Sequence, residues 1–269
     1  MIIGFCLPVS SQEWQELKGD HFIIYFVGDK AFSKEVLRKA EQYYDNISGD
    51  LGYSRRSNFW QWENRSKIYI YEDRESFTTT GGYPHWSEGI AEYSTRTINT
   101  FSGSRNFINA VLPHEITHLI FRDFVGLDNP NIPLWLDEAV AQRQEPYKRK
   151  VIKNAVKYIY EQGRTIPLTK FMNMNVMEET AERIVAAFYI QAMSIVEFLT
   201  EEYGTDRFIS FCRGLRDGKG IEEALQFAYP TSMRSVEELE QKWIEWIRDL
   251  NVKSMEIVIY EKEMDKGKH

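Results

Sequence analysis

The chain has 269 residues, 43% hydrophobic and 27% charged, with a net charge of -7. That is an ordinary globular composition, and the acidic balance without a long basic run excludes nucleic acid as the main partner. Two cysteines, Cys6 and Cys212, are too few for a disulfide framework, and no apolar run approaches the 18 residues of a transmembrane helix.

Residues 1–19 read as an N-terminal segment. Met1–Ser11 is apolar and short and lacks a basic start. It is either the stub of an export signal, with Val9 and Ser11 suiting a small-residue cleavage site, or a tail that packs on a cytoplasmic protein. A strand is expected over His21–Val27, closed by Gly28-Asp29, and a helix from Ala31 to about Leu51 on apolar residues at helical spacing. A loop follows, with Phe59, Trp60 and Trp62 as packing residues. Lys67–Tyr71 reads as a second strand and Asp73–Thr79 as a short helix. After a turn at 81–86, Ile90–Phe101 reads as one further strand, favoured by Thr95, Thr97 and Thr100.

A buried helix is expected from Phe107 to Phe124. Pro113 lies inside it and has no N–H to donate, so either the helix bends there or a fresh helix starts with Pro113 in its first turn. Beyond Gly126 the pattern is helical: Leu134–Glu145, Tyr147–Gln162, Glu178–Tyr203, Thr205–Arg216, Gly220–Ala228 and Ser235–Leu250. A last short strand is expected at Ile257–Tyr260. The fold class is therefore α+β, divided into an α/β half (20–125), a helical half (126–254) and a charged tail (255–269). The cleft between the halves is the expected site.

His114-Glu115-Ile116-Thr117-His118 carries the chemistry. Residues four apart on a helix share a face, so His114 and His118 can hold one zinc ion, while Glu115 points about 100° away, towards a water on that ion. A catalytic zinc needs a third protein ligand and an open position. His85 is the only loop histidine available, and it lies upstream. Glu138, 20 positions after His118 on the next helix, is the better offer. Its neighbour Asp137 is turned off the metal face by one helical step. Gln142 and Glu145, one and two turns further on, either orient the histidines or make surface ion pairs.

Taken together, His114-Glu115-x-x-His118 followed by Trp135-Leu136-x-Glu138-Ala139-x-Ala141 resembles the gluzincins, notably the aminopeptidase-type, peptidase MA-like zinc metallopeptidases. Ala139 stands where that family usually has Gly. The resemblance implies a zincin-like fold with one Zn²⁺ held by His114, His118 and Glu138, and Glu115 as catalytic base. It extends to Tyr189-Ile190-Gln191-Ala192, which resembles the helix start whose tyrosine stabilises the oxyanion, and so implies a catalytic Tyr189. Gly89-Ile90-Ala91-Glu92-Tyr93 resembles the Gly-x-Met-Glu-Asn stretch that binds a substrate's amine, which implies substrate contacts at Gly89, Ala91 and Glu92. As a plain edge strand, the same residues would pair with an extended peptide.

The expectation is a peptidase acting on a peptide or protein. Two rivals stand beside it: a non-catalytic peptide-binding module on the same scaffold, and a zinc hydrolase of a non-peptide substrate. Oligomeric state is not legible.

Overall fold

Residues 13–52, 60, 64–85, 87–179 and 181–251 are described in the computed structural model. The first eleven residues, Phe59, Trp62, the strand expected at 257–260 and His269 lie outside them.

Alternating burial defines the central strands. Phe22–Phe26 (β2) and Ser66–Tyr71 (β3) turn every second side chain fully inward, the period-2 signature of a strand with one face on a core. They pair in parallel, Ile24 opposite Ile68, and β3 pairs in parallel with Thr97–Phe101 (β5), Ile68 opposite Ile98. Gln15–Lys18 (β1) adds antiparallel to β2 and Gly89–Glu92 (β4) antiparallel to β5. The order is β1-β2-β3-β5-β4, a mixed five-stranded sheet with β4 at one edge.

Lys30–Asp50 (α1) connects β2 to β3, and Asp29 caps its start by accepting from the amides of Ala31 and Phe32. Val36, Ala40 and Ile47 of α1 are fully buried against the inward face of the sheet. Trp60, also fully buried, packs edge-on against Phe22, as expected of a packing residue. Arg74–Thr79 (α2), capped by Asp73, anchors through Phe77 against Tyr71 and Phe101.

Two expectations change here. The segment read as N-terminal, 1–19, contains strand β1 at Gln15–Lys18, and the single strand expected over 90–101 is a hairpin. Residues 93–96 turn the chain, so that Glu92 faces Thr97. No glycine or proline marks that turn: the left-handed backbone it needs falls on Arg96, at φ 51°.

Pro113 decides how the next helix starts. Phe107–Val111 winds as a π turn, ending with the Leu112 amide bonded to the Phe107 carbonyl. The α-helix Leu112–Val125 (α3) follows the π turn directly, through a helical Val111, with Pro113 in its first turn, and Gly126 ends it at φ 100°. Gly89 lets β4 approach this junction: a Cβ there would sit 2.9 Å from Phe107 and Val111.

The remaining described chain is helical: Leu134–Arg143 (α4), Pro146–Glu161 (α5), Leu168–Phe171 (α6), Glu182–Tyr203 (α7), Thr205–Arg216 (α8), Ile221–Ala228 (α9) and Val236–Asp249 (α10). Helix α7 starts four residues later than expected, after a 3₁₀ turn at Val176–Glu178, and α6 is an added short turn. By length and composition α7 could cross a membrane, but 78% of its most apolar window is buried within the protein, as in a core helix. Arg143 of α4 pairs with Glu197 of α7 at 2.7 Å. Buried apolar residues from Phe22 to Ile247 form one continuous core that crosses residue 126 without a break. The architecture is α+β and zincin-like: a mixed sheet, a metal-type helix beneath its edge strand, and a helical second half.

Candidate metal centre

Helix geometry alone puts His114 and His118 one turn apart, and their Nε2 atoms lie 3.0 Å from each other. Helix α4 packs on α3 and brings in Glu138, whose Oε2 is 4.0 Å from His114 Nε2 and Oε1 3.8 Å from His118 Nε2. One ligand atom from each of the three lies within 4.8 Å of the others. Two ligands each about 2.0–2.1 Å from a tetrahedral zinc stand ~3.3 Å apart, so this set needs only small side-chain adjustments to hold one.

The electrostatics point the same way. His118 Nδ1 faces Asp137 Oδ1 at 3.1 Å, and His114 Nδ1 faces Glu145 Oε1 at 2.9 Å. Burial works against ionising both acids. His118 and Arg122 nonetheless hold Asp137 below the usual carboxylate range, and Lys148 and His114 do so for Glu145. Each Nδ1 must therefore donate its proton to a carboxylate. In neutral rings that leaves two Nε2 lone pairs aimed at each other across 3.0 Å, an arrangement that a cation between them relieves. Without one, a proton serves: burial pushes the His118 imidazole down, but the Asp137 hydrogen bond and the charges of Asp137, Glu138 and Glu115 lift it to about 9.

Glu115 occupies the second turn position of the motif, and burial raises its pKa above the ordinary glutamate value, opposed by the two histidines. A carboxyl raised in this way is a stronger proton acceptor than an ordinary glutamate. Tyr189 lies on α7, 9% exposed, and burial followed by the charge of Glu138 pushes its phenol up to about 12. It therefore sits within the field of the ligand set.

The edge-strand residues fare differently. Glu92 Oε1 accepts from the Tyr83 hydroxyl at 2.9 Å, and its other oxygen contacts Thr95 at 3.3 Å. Those contacts hold it on tyrosine and threonine partners rather than on the histidines. Gly89 serves the packing of β4 on the π turn, and Ala91 pairs with Ile98 and packs on the core. His85 is outside the metal-type group, and His21 bonds Glu41 at 2.7 Å and stacks on Tyr44.

Of the two flanking residues weighed as orienting partners, Glu145 holds His114, whereas Gln142 is buried with its Oε1 unpartnered among the described residues. Asp137 is what the sequence reading passed over. Being turned off the metal face is what lets it reach the far nitrogen of His118, while Arg122 forks onto its other oxygen at 2.9 and 2.6 Å. Arg122 follows His118 by one helical turn, and that spacing was the available signal. Tyr93 was passed over too: its ring meets the His118 ring edge-on, with centroids 5.8 Å apart.

A search of curated proteins found no match to the chain. A family model described as Peptidase MA superfamily matches residues 60–249, which takes in the edge hairpin, the two helices bearing the histidines and Glu138, and the helical second half. The chain belongs to the Peptidase MA superfamily, and its scaffold is that of a peptidase.

Proposed function

We propose that the protein is a zinc-dependent peptidase of the gluzincin type. The observation that carries this reading is the pair of facing Nε2 atoms, each ring fixed from behind by a carboxylate, with Glu138 alongside. His114, His118 and Glu138 would hold the ion. When bound, it supplies Lewis-acid chemistry, polarising a carbonyl and bringing the pKa of water down towards about 7.

The chain's own residues do the rest. Glu115 takes a proton from the attacking water and passes it to the departing amine, a role its raised pKa suits. The Tyr189 hydroxyl, protonated at neutral pH as a phenol is and kept so by burial and Glu138, donates to the carbonyl oxygen as that oxygen gains charge. Asp137 and Glu145 keep both imidazoles in the tautomer that ligates. The edge strand β4 offers backbone groups to an extended peptide, which supports a peptide or protein as the substrate.

The test is cleavage-site profiling on a mixed peptide library with zinc restored. Glu115→Gln should retain zinc and lose about 10²–10⁴ in rate, and Glu138→Ala should lose the metal. Cleavage by Glu115→Gln at the wild-type rate sinks the mechanism, and zinc content without turnover on any peptide favours the binding-module rival. Cuts one residue from free amino termini would assign the substrate's amine to Glu92, whereas internal cuts would remove it from the site.

A further inference from the structure

Tyr93 belongs to neither the ligand set nor the pair of groups assigned to proton transfer and charge stabilisation, yet the fold fixes its position firmly. Strand β4 ends at Glu92, and the four residues Tyr93–Arg96 reverse the chain onto β5. Arg96 adopts φ 51°, a left-handed backbone that costs a non-glycine residue free energy. Tertiary contacts hold it there. Its amide donates to the Tyr93 carbonyl at 3.2 Å, and its carbonyl accepts from the Lys67 amide of β3 at 3.0 Å. Its guanidinium pairs at 3.0 Å with Asp123, whose side chain is only 2% exposed and lies on α3, the helix of both histidines. Trp60 Nε1 donates to the other Asp123 oxygen at 2.6 Å. The turn is thus clamped to the metal-type helix, and Tyr93 is clamped with it.

Its ring stands edge-on to His118, at an interplanar angle of 71°, while 39% of the residue remains open to solvent. A tyrosine hydroxyl is protonated at neutral pH and so can donate. Tyr93 thus stands between the end of edge strand β4 at Glu92 and the His118 ring, where a peptide added to that edge would leave the strand.

We propose that Tyr93 is a substrate-contacting residue, its hydroxyl donating to a main-chain carbonyl beside the bond to be cleaved. This rests on the zinc peptidase reading. The bland alternative is that the ring only buttresses His118. The two separate when the metal-binding head of an inhibitor is measured apart from its peptide arm. Zinc-loaded wild type and Tyr93→Phe are titrated calorimetrically with acetohydroxamate and with a blocked tripeptide hydroxamate. Tyr93→Phe should bind the tripeptide compound about tenfold more weakly, the effect of one lost neutral hydrogen bond. Acetohydroxamate affinity and zinc content should stay at wild-type values. Equal weakening of both compounds, or no change in either, overturns the assignment. If wild type binds neither hydroxamate, the metal reading itself falls and Tyr93's role goes with it, so the two failures are distinguishable.

Discussion

Asp137→Asn and Glu145→Gln look equivalent on paper, since each replaces a carboxylate behind a zinc-type histidine with its amide. The geometry predicts unequal costs. Glu145 uses a single oxygen, Oε1, to accept from both His114 Nδ1 (2.9 Å) and Lys148 Nζ (2.8 Å). A glutamine oxygen can take over both bonds, and only the charge is lost. Asp137 uses both oxygens: Oδ1 for His118 at 3.1 Å, Oδ2 for the Arg122 fork at 2.9 and 2.6 Å. Asparagine has one oxygen. Pointed at His118, it turns its NH₂ against the guanidinium, donor against donor. Flipped, it presents NH₂ to Nδ1, which forces the proton onto Nε2 and removes the ligating lone pair. Partners that orient a ligating histidine are worth about 10–100-fold in metal affinity. Asp137→Asn should fall at the upper limit, about 100-fold or ~2.7 kcal/mol, and Glu145→Gln at about tenfold or ~1.4 kcal/mol. Competition for zinc against a chromogenic chelator measures both. Equal losses, or a larger loss for Glu145→Gln, would refute the reasoning.

Three further outcomes are expected. In the metal-free protein the Glu115 pKa is raised by burial, so its contribution to stability is full below the unfolded value of about 4.3 and is lost as pH rises through the folded one. Glu115→Gln should therefore melt higher than wild type at pH 7, with the difference closing by pH 4; a pH-independent difference contradicts this. The His118 value of about 9 means that zinc binding at pH 7 displaces a proton, so calorimetric enthalpies should vary with the ionisation enthalpy of the buffer, and that dependence should fade as pH rises through about 9; an enthalpy independent of buffer at pH 7 contradicts this. Gly89→Ala places a Cβ 2.9 Å from Phe107 and Val111 and should cost about 1–3 kcal/mol in chemical denaturation; a loss under 0.5 kcal/mol would mean that the junction yields freely.

What the sequence disclosed follows from the range of each interaction. The histidines were legible because their spacing is a local fact of the helix, whereas Pro113's missing donor left both a bend and a new start open, and the π turn that accommodates it had no signal of its own. Glu138 was legible as a carboxylate on the next helix and was singled out further by resemblance, but its approach depends on how α4 crosses α3. Asp137 and Arg122 depend on the same crossing and carried no motif of their own. The hairpin at 93–96 was hidden for a different reason. Its residues, Tyr-Ser-Thr-Arg, include no Gly, Pro, Asn or Asp, and the one strained torsion is paid for by Asp123, 27 positions away. Strand β1, polar Gln-Glu-Leu-Lys, is held by pairing with β2 and not by a hydrophobic alternation that could be read.

The features missed share one physical character: each holds in place something that the motif only names. Arg122 holds Asp137, Asp137 holds His118, and Arg96 through Asp123 holds the turn that bears Tyr93. All three pairings unite a cation or imidazole with a carboxylate at low exposure, where an unpaired charge is costly and a paired one fixes geometry. Asp123, His118 and Arg122 all belong to α3. That helix therefore presents the two imidazoles to a metal on one side and, through its ion pairs, locks α4 and the β4–β5 turn to itself. A site whose ligands, base and edge strand must stay in register needs such locks, because errors of about 1 Å in placement can cost about 10²-fold in rate.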